Sequence, residues 1–499
     1  MKSDYNSFPA SAYSKAVLKP DLEVYKKHFS DSLHSINLSH GVMLAEKGLL
    51  EISSAGSILK ALVQIDKERK WKKKNFDGTF EDLFFLIEKE LSHKVGEDIA
   101  GRLHTGRSRN DMEHTMFRMQ LRTRLLKLLN QYNSLAEQFL ARAERGINEI
   151  VLLYTHGQPA QVSVLGHYLG AVIEFILRDM TRILAALHDV NHCPMGAAAI
   201  TTSGFKLDRT RVAELLGFHG IVENSYGAIA NVDYITASYS AIRLGCIHFG
   251  RLIQDLISWT GFEVSQIYVP DGFVQISSIM PQKRNPVPLE HLRLKFSLAA
   301  GGAEQIVQTM HNTPFADMND SERETQTSGF DVFERLSQAL PLLASFVDAM
   351  EVNVSSIRSR ISKSMASITE LADTIVREEK IGFREAHHIT SKLARSASLN
   401  GNGLDTLSWR SFTNTFEDVI GRKTVMSKEL LNIALSPENF VAVRNMPGGP
   451  EAKTLEDSLK RYTSQLNSLQ AEIKKIERLI SSSNARRNAT VEEFIAKGK

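Results

Sequence analysis

The sequence predicts a mainly α-helical fold built on a central bundle of long helices, and three observations carry that expectation. Between Asp111 and Arg145 there is no glycine or proline, and Met116, Leu121, Leu125, Leu128, Leu129, Leu135 and Phe139 recur at helical spacing. Further apolar-periodic segments follow at 163–190, 226–262, 286–311 and 327–365. Strand signals are weak and local, with Phe262–Val269 the best candidate.

Taken in order, residues 1–112 read as an N-terminal helical domain, 113–363 as the bundle and 364–499 as a C-terminal helical domain. The segment after Asp111 makes about nine turns at ~3.6 residues each, far longer than the globular average. Helices of that length bury their apolar stripes most readily against one another. The segment at 226–262 carries small residues on more than one face, Ala237, Ala241, Gly245 and Gly250, which predicts packing between several neighbours, other subunits included. Near the C-terminus, Leu455, Leu459, Tyr462, Leu466, Leu469, Ile473, Ile476 and Ile480 form a seven-residue repeat. That pattern fits a packed terminal helix and an intermolecular coiled coil equally well, and the tail after Ser481 is expected to fray.

Composition narrows the class. Of 499 residues, 42% are hydrophobic and 23% charged, which is globular rather than disordered. A formal net charge of +3 argues against a dedicated nucleic-acid binder. The densest basic run, Arg69, Lys70, Lys72, Lys73 and Lys74 around Trp71, precedes Asn75, Asp77 and Gly78 and reads as a solvated turn. Cys193 and Cys246 have neither the number for a disulfide framework nor a metal-ligand spacing. With no apolar signal core and no membrane-length apolar run, the expected compartment is the cytoplasm.

Three polar segments carry chemistry. In Ser277-Ser278-Ile279-Met280-Pro281-Gln282-Lys283-Arg284-Asn285-Pro286, a cation and hydroxyls sit just before a helix that Asn285 could cap. A helix N-terminus beside Lys283 suits a carboxylate or a developing enediolate. The run Gly101–Asp111 places Arg102, Arg107 and Arg109 with His104, Thr105, Ser108 and Asn110 ahead of the longest helix; arginine binds carboxylates through two parallel hydrogen bonds. Tyr154-Thr155-His156-Gly157-Gln158 contributes a histidine, the side chain most readily tuned for proton transfer near neutral pH. Each alone also fits an ordinary structural role: a capped helix, a solubilising loop, a structural histidine.

Together they resemble the signature regions of the fumarase/aspartase superfamily, in the same order. Pro281-Gln282-Lys283-Arg284-Asn285-Pro286 and the ungapped Leu103–Asp111 stretch have the forms found in argininosuccinate lyases. Glu81-Asp82, Thr369–Asp373, Phe383–His387 and Gly448-Gly449-Pro450 extend the likeness over roughly residues 30 to 455. The resemblance implies a three-domain fumarase/aspartase-like fold and β-elimination of an amine with release of fumarate. It implies Ser277 as general base, Lys283 and Asn285 as stabilisers of the enediolate, and His156 paired with Glu290 on the leaving-group side. Ser108, Arg109, Asn110 and Thr155 would hold the substrate's two carboxylates, and Arg107, Gln158 and Asp82 would also bind substrate, with no metal or organic cofactor. Composite sites in a homotetramer are implied too, with a small-molecule dicarboxylate as partner and neither nucleic acid nor membrane.

Departures from the pattern concern the amine half. Ile276 stands where the superfamily has glycine, and Leu83–Glu88 replaces a polar stretch with an apolar one. Asp317, Glu322 and Thr325 stand where the family has tyrosine, glutamine and lysine; the two acids would favour a cationic amine or face solvent. Ile36–His40 likewise departs from the usual N-terminal stretch. Argininosuccinate is the leading substrate on this reading. Another N-(1,2-dicarboxyethyl) amine of the ethylenediamine-disuccinate type stays open, as does a non-catalytic crystallin-like relative.

Overall fold

The computed structural model describes residues 8–399 and 403–498. From Ser11 to Glu46 the chain is helical, with two π-helical turns at Ser14–Leu18 and Tyr25–Phe29. The basic run folds as a short 3₁₀ turn, Lys70–Lys73, anchored by buried Trp71. Helix α1, Leu83–Val95, starts where Asp82 Oδ1 accepts the Phe85 amide at 3.1 Å. Leu83, Phe84 and Leu86 are buried, so the apolar replacement of that stretch serves the core.

Helix α2, Arg109–Arg145, is opened by a capping box in which Ser108 and Asp111 satisfy each other's backbone amides. It is followed by a hairpin, β1 (Ile150–Thr155) and β2 (Gln158–Val164), that the weak strand signals did not reveal. Its two-residue turn is His156 and Gly157, both with positive φ (53° and 72°), the geometry that tight hairpins require. Helix α3 spans Leu165–Val190 and α4 spans Asp233–Thr260. Of the predicted strand Phe262–Val269 only β3, Ile267–Tyr268, forms. A second small hairpin pairs β4 (Gln275–Ile276) with β5 (Arg284–Asn285).

Helix α5 is Val287–Thr309 and α6 is Arg323–Ala349. Asn285 does not cap α5 as expected. Its amide instead donates to the Gln275 carbonyl at 3.0 Å across the hairpin, and Pro286 precedes the helix without a side-chain cap. The predicted 327–365 segment is broken at extended Met350, where β6 (Glu351–Val352) pairs with β3 and Asn353 caps a separate helix, Val354–Ser364. The last helix, α7, is Ala452–Lys497.

Helices α2 to α6 pack side by side as the bundle, and α7 lies along α2 and α3 of the same chain. Leu455, Leu459, Leu466, Ile473 and Ile476 are buried there, so the heptad pattern belongs to a packed terminal helix. The tail does not fray: α7 continues past Ser481, and Val491 is buried in the N-terminal core with Phe29, Leu59 and Phe117. A third core joins Leu371, Ile389, Phe412, Phe416 and Leu431. Gly245 is where a close approach demands glycine, since a Cβ there would collide with the buried Tyr132 hydroxyl. Cys193 and Cys246 are both free and buried. Among the described residues no helix is long and apolar enough to cross a membrane.

Candidate active site

The candidate residues gather at two ends of the bundle. At one, α2 and α6 begin side by side. Asn110 Nδ2 donates to Asp317 Oδ2 at 2.6 Å, and His114 Nε2 lies 3.3 Å from Asp317 Oδ1. Arg109 Nη1 donates to Glu81 Oε1 (3.0 Å) and Asp82 Oδ2 (2.9 Å), with its guanidinium over the Phe85 ring. Asp82 is thus committed to a helix cap and an arginine, and does not face open space. Arg107 is buried: Nη1 donates to Asn37 Oδ1 at 2.7 Å and the cation sits over Phe84. Burial lowers its pKa to about 10. Gly106 shapes the entry to this run, because its φ is 70° and a Cβ would press on Leu207.

The two acidic departures do not face solvent freely. Glu322 is followed by Arg323, whose Nη1 lies 3.2 Å from Glu113 Oε1 and whose Nη2 lies 3.5 Å from Asp21. Glu113 also accepts a short hydrogen bond from the Tyr25 hydroxyl. Carboxyls of Asp21, Glu81, Asp82, Glu113, Asp317 and Glu322 share this end, where Arg109 pairs with Glu81 and Asp82 and Arg323 with Asp21, Glu113 and Glu322. Burial, reinforced by the Glu113 charge, raises Glu322 to about 7. Burial also raises Glu113, while it opposes the charge on Arg323, which Tyr25, Glu113, Asp21 and Glu322 together hold above its usual range. A carboxyl that titrates near neutrality in such a place is a mark of functional sites.

At the other end lie both hairpins. Gln266, just before β3, bonds to β1: its Oε1 accepts the Leu152 amide at 2.7 Å and its Nε2 donates to the Leu152 carbonyl at 3.0 Å. Ser277 is half-buried, and its Oγ accepts the amides of Met280 (3.0 Å) and Ile279 (3.4 Å). Two N–H groups aimed at a hydroxyl oxygen favour its alkoxide, which is what a serine base needs. Lys283, Glu290, Thr155, His156 and Gln158 are exposed, and Ile276 is 81% exposed.

The sequence-predicted residues are therefore divided. Arg107, Ser108, Arg109, Asn110, Asp82, Asp317 and Glu322 stand at the start of α2; Thr155, His156, Gln158, Ser277, Lys283, Asn285 and Glu290 stand at the opposite end. The 37 residues of α2 span about 55 Å at ~1.5 Å per residue. A six-residue β1 folding straight back would recover about 20 Å. The two groups of candidate residues in one chain thus lie roughly 35 Å apart.

The family described as "Lyase" matches residues 22–301, and "Argininosuccinate lyase C-terminal" matches 365–442. Argininosuccinate lyase 2 of Agrobacterium fabrum is 46% identical over 471 residues, 94% of each chain. The chain belongs to the argininosuccinate lyase family. Another member, the argininosuccinate lyase of Methanosarcina mazei, is 32% identical over 92% of each chain. Among solved structures, an EDDS lyase in complex with formate matches at TM-score 0.86 and 25% identity over 95% of each chain. The class II fumarase of Schistosoma mansoni shares the fold at TM-score 0.66 and 17% identity, covering 87% of this chain and 93% of its own. The mainly α, fumarate-lyase architecture and the carbon–nitrogen lyase class of this family member follow from those matches.

Sequence reasoning missed Asp21, Tyr25, Glu113, His114 and Arg323. For two of them a signal existed: Glu113 and His114 follow Arg109 and Asn110 by four positions and so share their helix face. Tyr25 and Asp21 arrive from a distant segment, and nothing local marks them.

Proposed function

We propose that this lyase cleaves argininosuccinate to arginine and fumarate, as a cytoplasmic homotetramer with sites composed from several subunits. The observation that carries the reading is the intact set Ser277, Lys283, Asn285, His156 and Ser108–Asn110 in a chain 46% identical to a relative named for that activity. Ser277 Oγ takes the proton from the carbon next to a carboxylate. The electron pair moves into that carboxylate as an enediolate, stabilised by Lys283 and Asn285. Its collapse forms the C=C bond of fumarate and breaks the C–N bond, and the departing nitrogen takes a proton on the side of His156 and Glu290. Preorganised donors of this kind contribute roughly 3–4 kcal/mol each when removed singly. Ser108, Arg109, Asn110, Thr155 and Gln158 hold the two carboxylates, with Arg107 and Asp82 behind them, and Asp317 and Glu322 line the amine side.

Assembly is supported by the separation of the half-sites and by exposed apolar residues on the bundle. Leu244 and Ile247 on α4, and Leu294 and Leu298 on the adjacent α5, are between 39% and 46% exposed. A contiguous apolar face of this kind marks a protein contact. A second reading, cleavage of an aminopolycarboxylate such as ethylenediamine-disuccinate, is favoured by the match to an EDDS lyase at TM-score 0.86 and 25% identity. Absorbance in the fumarate band, followed with argininosuccinate and with ethylenediamine-disuccinate, separates the readings. Fumarate from the first substrate supports the proposal. Fumarate only from the second assigns the acidic end to a different amine, and none from either leaves a structural protein.

A further inference from the structure

Asp111 is completely buried, and its carboxylate accepts three backbone amides from two segments. Oδ1 accepts Ser108 N–H at 3.0 Å; Oδ2 accepts Gly196 N–H at 2.8 Å and Ala198 N–H at 3.0 Å. The first bond fixes the start of α2, where Ser108, Arg109 and Asn110 project. The other two hold residues 194–202, a segment with no regular structure and an unusual backbone. Ala198 (φ 54°) and Thr202 (φ 65°) both occupy the left-handed region, and for a β-branched threonine this is a true outlier. Such conformations persist only where surrounding contacts over-determine them, and they concentrate at functional sites.

Those contacts are present on both sides. Arg209, from the helix Arg209–Leu215, grips the segment from behind: Nε donates to the Met195 carbonyl at 3.0 Å, and Nη2 reaches the Val222 carbonyl at 2.8 Å. A Cβ at Gly196 would strike the Arg209 side chain. On the front, Asn110 Nδ2 touches the Ala199 carbonyl at 3.5 Å while bonding Asp317. Held this way, the segment exposes Ala199, Thr201 and Thr202 beside the Ser108–Asn110 run.

We propose that Asp111 is a positioning residue of the lyase site, coupling the 194–202 segment to Ser108–Asn110 so that the segment forms a wall against the substrate's dicarboxylate half. This rests on the lyase reading above. The coupling is strongest with the ionised carboxylate, because all three partners are donors and a protonated carboxyl turns one of its oxygens into a donor. Burial pushes Asp111 up to about 6, while the three amides and Arg107 pull the other way. The charged or titratable groups facing it are Arg107 from its own run, Arg209 from behind and Cys193 from the strand leading into the segment.

Asp111→Asn tests the coupling with little change of volume, since its NH₂ cannot accept an amide. We expect a KM at least tenfold higher, fumarate binding weakened to match, and kcat changed less than threefold. The wild-type KM should rise as pH falls below about 6, and this rise should vanish in D111N. Amide hydrogen exchange gives a second readout that needs no turnover. In D111N the one remaining carbonyl oxygen cannot serve both sides, so either the Ser108 amide or those of Gly196 and Ala198 should lose protection, as should the wild type at pH 5 relative to pH 8. Unchanged protection of all three amides in D111N, or a loss confined to kcat, would overturn the proposal. Absence of fumarate release by the wild type would instead strike at the lyase reading, leaving the amide protection to decide the coupling.

Discussion

Asn110 and Asp317, 207 positions apart in sequence, are joined by a 2.6 Å hydrogen bond between the start of the longest bundle helix and the loop that leads into another. The bond links a residue of the run proposed to hold the substrate's carboxylates to one of the acidic positions proposed to line the amine side. It makes the amide orientation of Asn110 dependent on the Asp317 carboxylate.

Asp317→Ala should therefore impair substrate binding without unfolding the protein. It leaves Asn110 and His114 without their acceptor. A roughly tenfold fall in kcat/KM is expected, equivalent to about 1.4 kcal/mol. Steady-state fumarate release measures it, and an unchanged kcat/KM would detach Asp317 from the site.

Glu322 predicts a pH dependence. Its pKa is raised to about 7, chiefly by burial, so it is neutral below that pH and charged above it. A cationic amine half should bind more tightly as pH rises through 7, and Glu322→Gln should flatten that profile. Stability runs the opposite way. Between its ordinary range and 7 the folded state binds more protons than the unfolded chain, so this group's contribution falls as pH rises through that window. Thermal melts of wild type and E322Q at pH 5 and 8 would reveal the opposing trends.

The division of the site between the two ends predicts complementation. Ser277→Ala and Asn110→Ala alter opposite half-sites, and each alone should be nearly inactive. Unfolding the two variants together and refolding them should regenerate some sites with both halves intact. Activity should then return in the mixture but in neither variant refolded alone. A mixture as dead as its components would place both halves of a site within one subunit.

The exposed leucines of α4 and α5 predict the route of assembly. Leu244→Glu together with Leu298→Glu should leave helix content intact while splitting the proposed homotetramer, because a charge cannot be buried at an apolar contact without a partner. Sedimentation velocity reports the mass and fumarate release the activity; both should fall together.

The end of α7 predicts a stability effect far from any chemistry. Val491 is 2% exposed in the N-terminal core, and Arg487 donates to the Leu215 carbonyl. Val491→Ala should cost about 1.5–2 kcal/mol from lost burial and the cavity it leaves. Chemical denaturation measures this, and an unchanged midpoint would mean that the last turns contribute nothing to the core.

Much was legible in the residues themselves. Apolar spacing from Met116 to Phe139 defines a helix because side chains three and four apart share one face, whatever they later pack against. The polar runs at 103–111, 154–158 and 277–286 were readable because chemistry demands particular side chains within a few positions. Other features were not local. The β1–β2 hairpin depends on two left-handed residues at His156 and Gly157, and Asn285 gave up a helix cap for a carbonyl across a hairpin. Both helix capping and hairpin pairing suit the same residue types, and only the neighbouring backbone selects between them.

By itself, then, the sequence determined the helical class, the long bundle elements and the polar runs that hold the candidate side chains, since each is set by periodicity or by contiguous residues. Tertiary structure alone decided which of those side chains meet. It set Asp111 between two segments, gathered Asp21, Glu113 and Glu322 around Arg323, and kept Ser277 and Asn110 at opposite ends of the bundle. The physical reason is that contacts across tens to hundreds of residues arise from how helices pack, and no local pattern encodes that arrangement.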